Sequence, residues 1–307
     1  MNPALKVGGF VGGLAAAFAL AFAAGSATEP VRGDQQAQAD GHSGDPMGGM
    51  DGSEQGGEHA SAHGETSGQL PGLPVSDAGY TLVPAATTLP VGAAVPFRFT
   101  ITDPTGHPVT SYTEKHEKDL HLIVVRRDLS GFQHVHPVRG ADGTWSVPLD
   151  VSKAGSYRVF ADFQPAPLDR GLVLGTDVSV AGAFMPVPLP QASTTATVDG
   201  YQVSLAGSPT AGTESELVFS VSRDGVPVTD LEPYLGAFGH LVTLRAGDLA
   251  YLHTHPAQEA HAGEHGGPQV HFATTFPTPG TYRLFLDFQH AGTVRTAAFT
   301  VVVPAHS

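Results

Sequence analysis

Histidine is the residue type that could do chemistry here, because 16 His outnumber the 15 Lys and Arg combined. A neutral imidazole is both a proton carrier and a common metal ligand. Two sets of these residues share one spacing. His121 opens the run His-Leu-Ile-Val-Val-Arg, and thirteen residues later comes His134-Val135-His136-Pro137. His240 opens His-Leu-Val-Thr-Leu-Arg, and thirteen residues later comes His253-Thr254-His255-Pro256.

Metal chemistry requires three rings to converge, and strand geometry supplies a way. Residues two apart on a strand project from one face, which aligns His134 with His136 and His253 with His255. Asp128-Leu129-Ser130-Gly131 and Ala246-Gly247-Asp248-Leu249 read as hairpin turns after the runs that His121 and His240 open. A loop of even length makes paired positions sum to an odd number. His121 then shares the face of His134 and His136, and His240 that of His253 and His255. Cross-strand neighbours lie about 4.5–5.5 Å apart at Cβ, close enough for imidazoles to meet one ion at about 2.0–2.1 Å. A slip of one residue would scatter each triad over both faces. The alternative is that these are ordinary hydrogen-bonded structural histidines.

The elements that must position them are strands. From Tyr80 onward, short runs such as VPFRFTIT, LHLIVVRRD, WSVPLDV and YRLFLDF alternate with Gly and Pro turns. This pattern predicts an all-β chain. Order-preserving matches extend beyond the histidines: Gly155-Ser156-Tyr157-Arg158 with Gly280-Thr281-Tyr282-Arg283, and Asp162-Phe163-Gln164 with Asp287-Phe288-Gln289. They mark a duplicated unit. The expected fold is two tandem immunoglobulin-like β-sandwich domains at 75–182 and 192–304, joined by a semi-rigid Pro-rich linker at 183–191. Tyr157, Tyr282, Phe163 and Phe288 read as core. Asp162 and Asp287 could orient a ligating His through its second nitrogen, or serve a turn or an ion pair. His271, on the strand after a loop with Glu259, His261, Glu264 and His265, is a further candidate ligand.

Residues 1–27 read as a signal peptide or signal anchor, with Lys6 before the uncharged Val7 to Ala24 stretch. The acidic remainder should lie outside the cytoplasmic membrane, secreted or anchored. Residues 28–74 are rich in Gly, Ser, Gln and acidic side chains and are expected to be disordered. This tail carries His42, His59 and His63 with Met47 and Met50. Imidazole with thioether suits copper, and the alternative is a plain spacer.

A net charge of −14 excludes a nucleic-acid surface. With no Cys, disulfides, zinc fingers and thiol catalysis are excluded too. The H-L-[IV], H-x-H-P and G-[ST]-Y-R-[VL]-F-x-D-F-Q runs resemble actinobacterial anchored or secreted heavy-metal-binding-type proteins with YtkA-like or CopC-like β-domains. The resemblance implies an immunoglobulin-like fold and a setting in copper handling. The chain lacks the histidine at the start of the mature domain that the CopC-like pattern has, so no residue role is carried over.

The function expected is extracytoplasmic binding of a copper ion, with zinc as the alternative, for sequestration or hand-over. Partners would be the ions and a membrane copper transporter or another copper protein. The other reading is an anchored structural or interaction module without metal. No Ser-His-Asp arrangement or phosphate loop is present, so an enzyme is not expected.

Overall fold

The computed structural model describes residues 70–305, apart from the side chains of His253 and His255. Alternation sets the first sheet. In Gly92–Thr102 the residues Val95, Phe97, Phe99 and Ile101 point inward while their neighbours face outward. This strand, β4, lies in the order β1 (Ser76–Asp77), β2 (Tyr80–Pro84), β4, β8 (Trp145–Val151), β7 (Val138–Arg139). The facing sheet runs β3 (Thr88–Leu89), β10 (Leu172–Val180), β9 (Gly155–Phe163), β5 (Leu120–Arg126), β6 (Gln133–Val135). Leu82, Phe97, Phe99, Trp145 and Leu149 of one sheet pack on Leu122, Val124, Val159 and Leu174 of the other. All pairings are antiparallel except β3 with β10. This is the immunoglobulin-like sandwich: β1/β2, β4, β8 and β7 take the A, B, E and D places of one five-stranded sheet, and β10, β9, β5 and β6 the G, F, C and C′ places of the other, with β3 at its edge.

The second copy repeats the plan. One sheet runs β11 (Thr195–Val198), β12 (Tyr201–Ala206), β13 (Glu214–Arg223), β18 (Gln269–Thr275), β17 (His255–Pro256), with β14 (Val226–Pro227) on β13. The other runs β16 (Tyr251–His253), β15 (His240–Arg245), β19 (Gly280–His290), β20 (Thr293–Val303). Its core joins Phe219, Phe272 and Val221 to Leu284, Leu286, Phe288 and Phe299. Tyr157, Phe163, Tyr282 and Phe288 are all buried.

The sandwiches are not simply strung in tandem. β5 is buried at every position, and β15 at all but its last. A strand buried on both faces must be covered twice, and here the second cover is the other sandwich. Ile123, Val125, Leu129 and Phe160 of the first copy form one cluster with Val242, Leu244, Leu249, Tyr251 and Phe285 of the second. The contact is reciprocal. Phe132 stacks on Phe285 with centroids 3.9 Å apart and planes 6° from parallel, and Tyr251 of the second copy packs on Phe160 of the first at 5.6 Å.

Two segments strap this pair. Residues 70–74, expected to be disordered with the rest of 28–74, instead cross the junction, with Gly72 N–H donating to the Val173 carbonyl and Tyr251 N–H donating to that of Pro71. Arg158 Nη2 donates to the Gly72 and Leu73 carbonyls, each at 2.7 Å. The Pro-rich linker is held by Arg126, which donates to the Met185 carbonyl, and by Asp128, which accepts from Val187 N–H. Gly175 permits the first strap, because a Cβ there would overlap the Gly72 carbonyl and the Arg158 guanidinium. Gly175→Ala is expected to cost about 1–3 kcal/mol by forcing the strap aside. Urea unfolding of that variant against the parent checks it, and an unchanged midpoint would contradict this packing. Among the described residues no helix is long and apolar enough to cross a membrane.

Candidate metal centre

β5 and β6 pair Leu122 with Val135, Ile123 with His134 and Val124 with Gln133. Every pair sums to an odd number, as an even loop requires. The next position of that register sets His121 across from His136, and His134 sits one step along the same face. The turn between them uses Leu129 at φ 64° and Gly131 at φ 64°. One expectation needs correcting in both copies: His134 and His136 do not share a strand, and His253 ends β16 while His255 begins β17 in the opposite sheet. β6 ends at Val135, and Pro137, which lacks an N–H for the ladder, follows His136 as the chain crosses to β7.

The three rings nevertheless converge. Nδ1 of His121 lies 3.1 Å from Nε2 of His134 and 3.2 Å from Nε2 of His136. All three ligand atoms lie within 4.8 Å of one another, and this is the one such group of His, Asp or Glu among the described residues. The other nitrogens explain the orientation. Nε2 of His121 donates to the Lys115 carbonyl at 3.0 Å. Nδ1 of His134 faces Asp287 Oδ2 at 2.7 Å, where only donation is possible to a carboxylate. With those protons placed, neutral rings turn lone pairs toward each other at 3.1 Å, which is repulsive unless a cation stands between them. Two imidazole nitrogens on one tetrahedral ion at about 2.0–2.1 Å are separated by about 3.3 Å. The two separations from His121 Nδ1 are within a few tenths of an ångström of that.

Electrostatics keeps two of these rings neutral. Burial, then the neighbouring His134, pushes His121 down to about 4 and His136 down to about 3. Neither His121 nor His136 therefore supplies a proton to the gap near neutral pH.

The second copy contributes to this same centre. His240 Nε2 bonds the Tyr234 carbonyl at 2.9 Å, as His121 does that of Lys115. Both carbonyls belong to matching two-residue turns with positive φ, His116-Glu117 and Leu235-Gly236. The His240 ring lies 6.5 Å from that of His121, 6.3 Å from His134 and 5.3 Å from His116. Burial and then His116 lower His240 to about 3. Tyr234 closes another side, 6.2 Å from His136. The second copy keeps the odd-sum register, with Val242 opposite His253 and Leu244 opposite Tyr251. The side chains of His253 and His255 lie outside the described residues, as do His42, Met47, Met50, His59 and His63.

His271 is not brought to the triad. It lies on β18 between the buried Val270 and Phe272, so it faces outward, and its Nδ1 pairs with Glu216 at 2.9 Å. The loop residue His261 bonds Glu264 through its backbone N–H. Sequence reasoning missed the reach of Asp287 across to His134 and the walls formed by His116, Tyr234 and His240. The unbroken apolar run of β5, which no single core explains, was the available signal.

Comparison with known proteins adds one firm result. A family described as a domain of unknown function, DUF8832, matches residues 75–178 and again 196–305. The chain belongs to the DUF8832 family. Each sandwich is thus one DUF8832 unit, and the resemblance to YtkA-like or CopC-like proteins gains no support from this match. No curated protein matches the chain. Among solved structures it is similar to the Escherichia coli adhesin FdeC at 16% identity, covering 74% of this chain and 65% of that one, with a TM-score of 0.23. Yersinia pseudotuberculosis InvD matches at 13% identity, covering 75% and 59%, with a TM-score of 0.25. Invasin, a bacterial integrin-binding protein, matches at 11%, covering 75% and 41%, with a TM-score of 0.22. The chain spans less than two thirds of each of these proteins, and such scores fall short of a shared overall arrangement.

Proposed function

We propose that the paired DUF8832 units hold a divalent metal ion outside the cytoplasm, copper ahead of zinc, for sequestration or hand-over rather than catalysis. The observation that carries this is the convergence of His121 Nδ1, His134 Nε2 and His136 Nε2 with the first two rings' protons already committed elsewhere. Three neutral imidazoles suit Cu²⁺ and Zn²⁺, and the intrinsic affinity order places copper above zinc. Walls formed by His116, Tyr234 and His240 favour retention of an ion over passage of a substrate. The His/Met tail would collect ions for this centre, and a copper transporter or another copper protein would receive them. Metal analysis of the purified full chain after equilibration with equal copper and zinc tests the reading. At least one copper per chain at neutral pH is expected, and no metal above background would reject it.

The fold favours a second reading, an anchored interaction module without metal. Immunoglobulin-like sheets commonly serve as contact surfaces, and here each copy already uses its G-F-C-C′ face on the other. A partner would then meet the outer A-B-E-D sheets. Absence of metal together with a captured partner whose binding survives His134→Ala would establish that reading.

A further inference from the structure

Asp287 belongs to the second sandwich and is 2% exposed. Its Oδ2 accepts from Nδ1 of His134 in the first sandwich at 2.7 Å, and its Oδ1 accepts from Thr296 Oγ1 at 2.5 Å. Among the described residues no Lys or Arg pairs with it. A buried carboxylate needs hydrogen-bond donors, and the two that Asp287 has among the described residues are His134 and Thr296. Accepting the Nδ1 proton also fixes the ring's tautomer and leaves Nε2 as the lone pair turned toward His121. The exchange runs both ways, since Asp162 of the first sandwich accepts from the Tyr251 hydroxyl of the second at 3.3 Å.

We propose that the His121/His134/His136 centre is composite, with Asp287 of the second sandwich as its positioning residue, so that ion binding requires the two sandwiches to be docked. The inference rests on the metal reading above and adds its regulation. All three ligands lie in one copy, yet the group that orients one of them lies in the other. Linkage makes the effect mutual: docking tightens the ion by the factor by which the ion tightens docking. Undocking the sandwiches would release the ion, which gives a recipient protein a way to take it by prying the copies apart.

The test is Cu²⁺ and Zn²⁺ competition titration on the full chain bearing His42→Ala, His59→Ala and His63→Ala, which removes the tail histidines. Asp287→Ala is expected to weaken binding about 10–100-fold. Asp287→Asn, which keeps an acceptor but no charge, should fall between. Phe285→Glu attacks docking without touching a ligand, because it removes the ring stacked on Phe132. It should weaken binding as well and alter the Cu²⁺ electron-paramagnetic-resonance spectrum, which a fold-only effect on a self-contained site would leave alone. If the parent binds an ion and both Asp287→Ala and Phe285→Glu bind it equally well with unchanged spectra, the composite site is overturned and the metal reading stands. A parent that binds nothing overturns both.

Discussion

Replacing His121, His134 or His136 by Ala is expected to weaken copper binding at least about 100-fold, whereas His271→Ala should leave it unchanged. The asymmetry follows from geometry. The first three nitrogens lie within 4.8 Å of one another, while His271 faces outward and pairs with Glu216. Loss of one of three imidazoles leaves two ligands, too few for a tetrahedral centre built on three protein donors. His121→Ala also removes one of the two donors to the Lys115 carbonyl, the Lys118 N–H remaining. Titrations in the background lacking His42, His59 and His63 keep tail binding from masking the result. Equal loss on His271→Ala, or none on His121→Ala, would contradict the assignment.

That contrast also shows what the sequence contained and why. Hairpin parity is a local property, so the thirteen-residue spacing was enough to bring His121 onto the face of His134 and His136, and the odd-sum register of β5 with β6 agrees with it. The outward direction of His271 was equally local, because the apolar Val270 and Phe272 on either side must turn inward. Including it as a ligand set that alternation aside. The pairing of the two copies was of a different kind. It depends on surfaces far apart in the chain, and an apolar strand buried on both faces looks in sequence much like one buried on a single face beside a loop. Asp287 could be singled out as an orienting carboxylate, but only packing of one copy on the other reveals that its histidine is His134, more than a hundred residues away.

The same burial that preorganises the centre makes it sensitive to acid. His121 is held at about 4, and His136 and His240 at about 3, chiefly by desolvation. An unfolded chain titrates these rings near 6.5. Between that value and the folded ones the unfolded state binds more protons, so stability rises with pH across this window and is lost as pH falls through it. The contribution is fully present above about 6.5, and each such ring removes on the order of 2 kcal/mol by pH 5. Urea unfolding of the metal-free protein should therefore show a midpoint that drops steeply from pH 7 to pH 5. His240→Leu, which removes one titrating ring without removing a triad ligand, should start lower but fall less steeply. A bound divalent ion raises stability by mass action at neutral pH, and its effect should shrink in acid as protons compete for the same nitrogens. A midpoint that stays flat from pH 7 to pH 5 would mean that these rings find solvent or protons in the folded state, and a centre so open could not discriminate an ion from water.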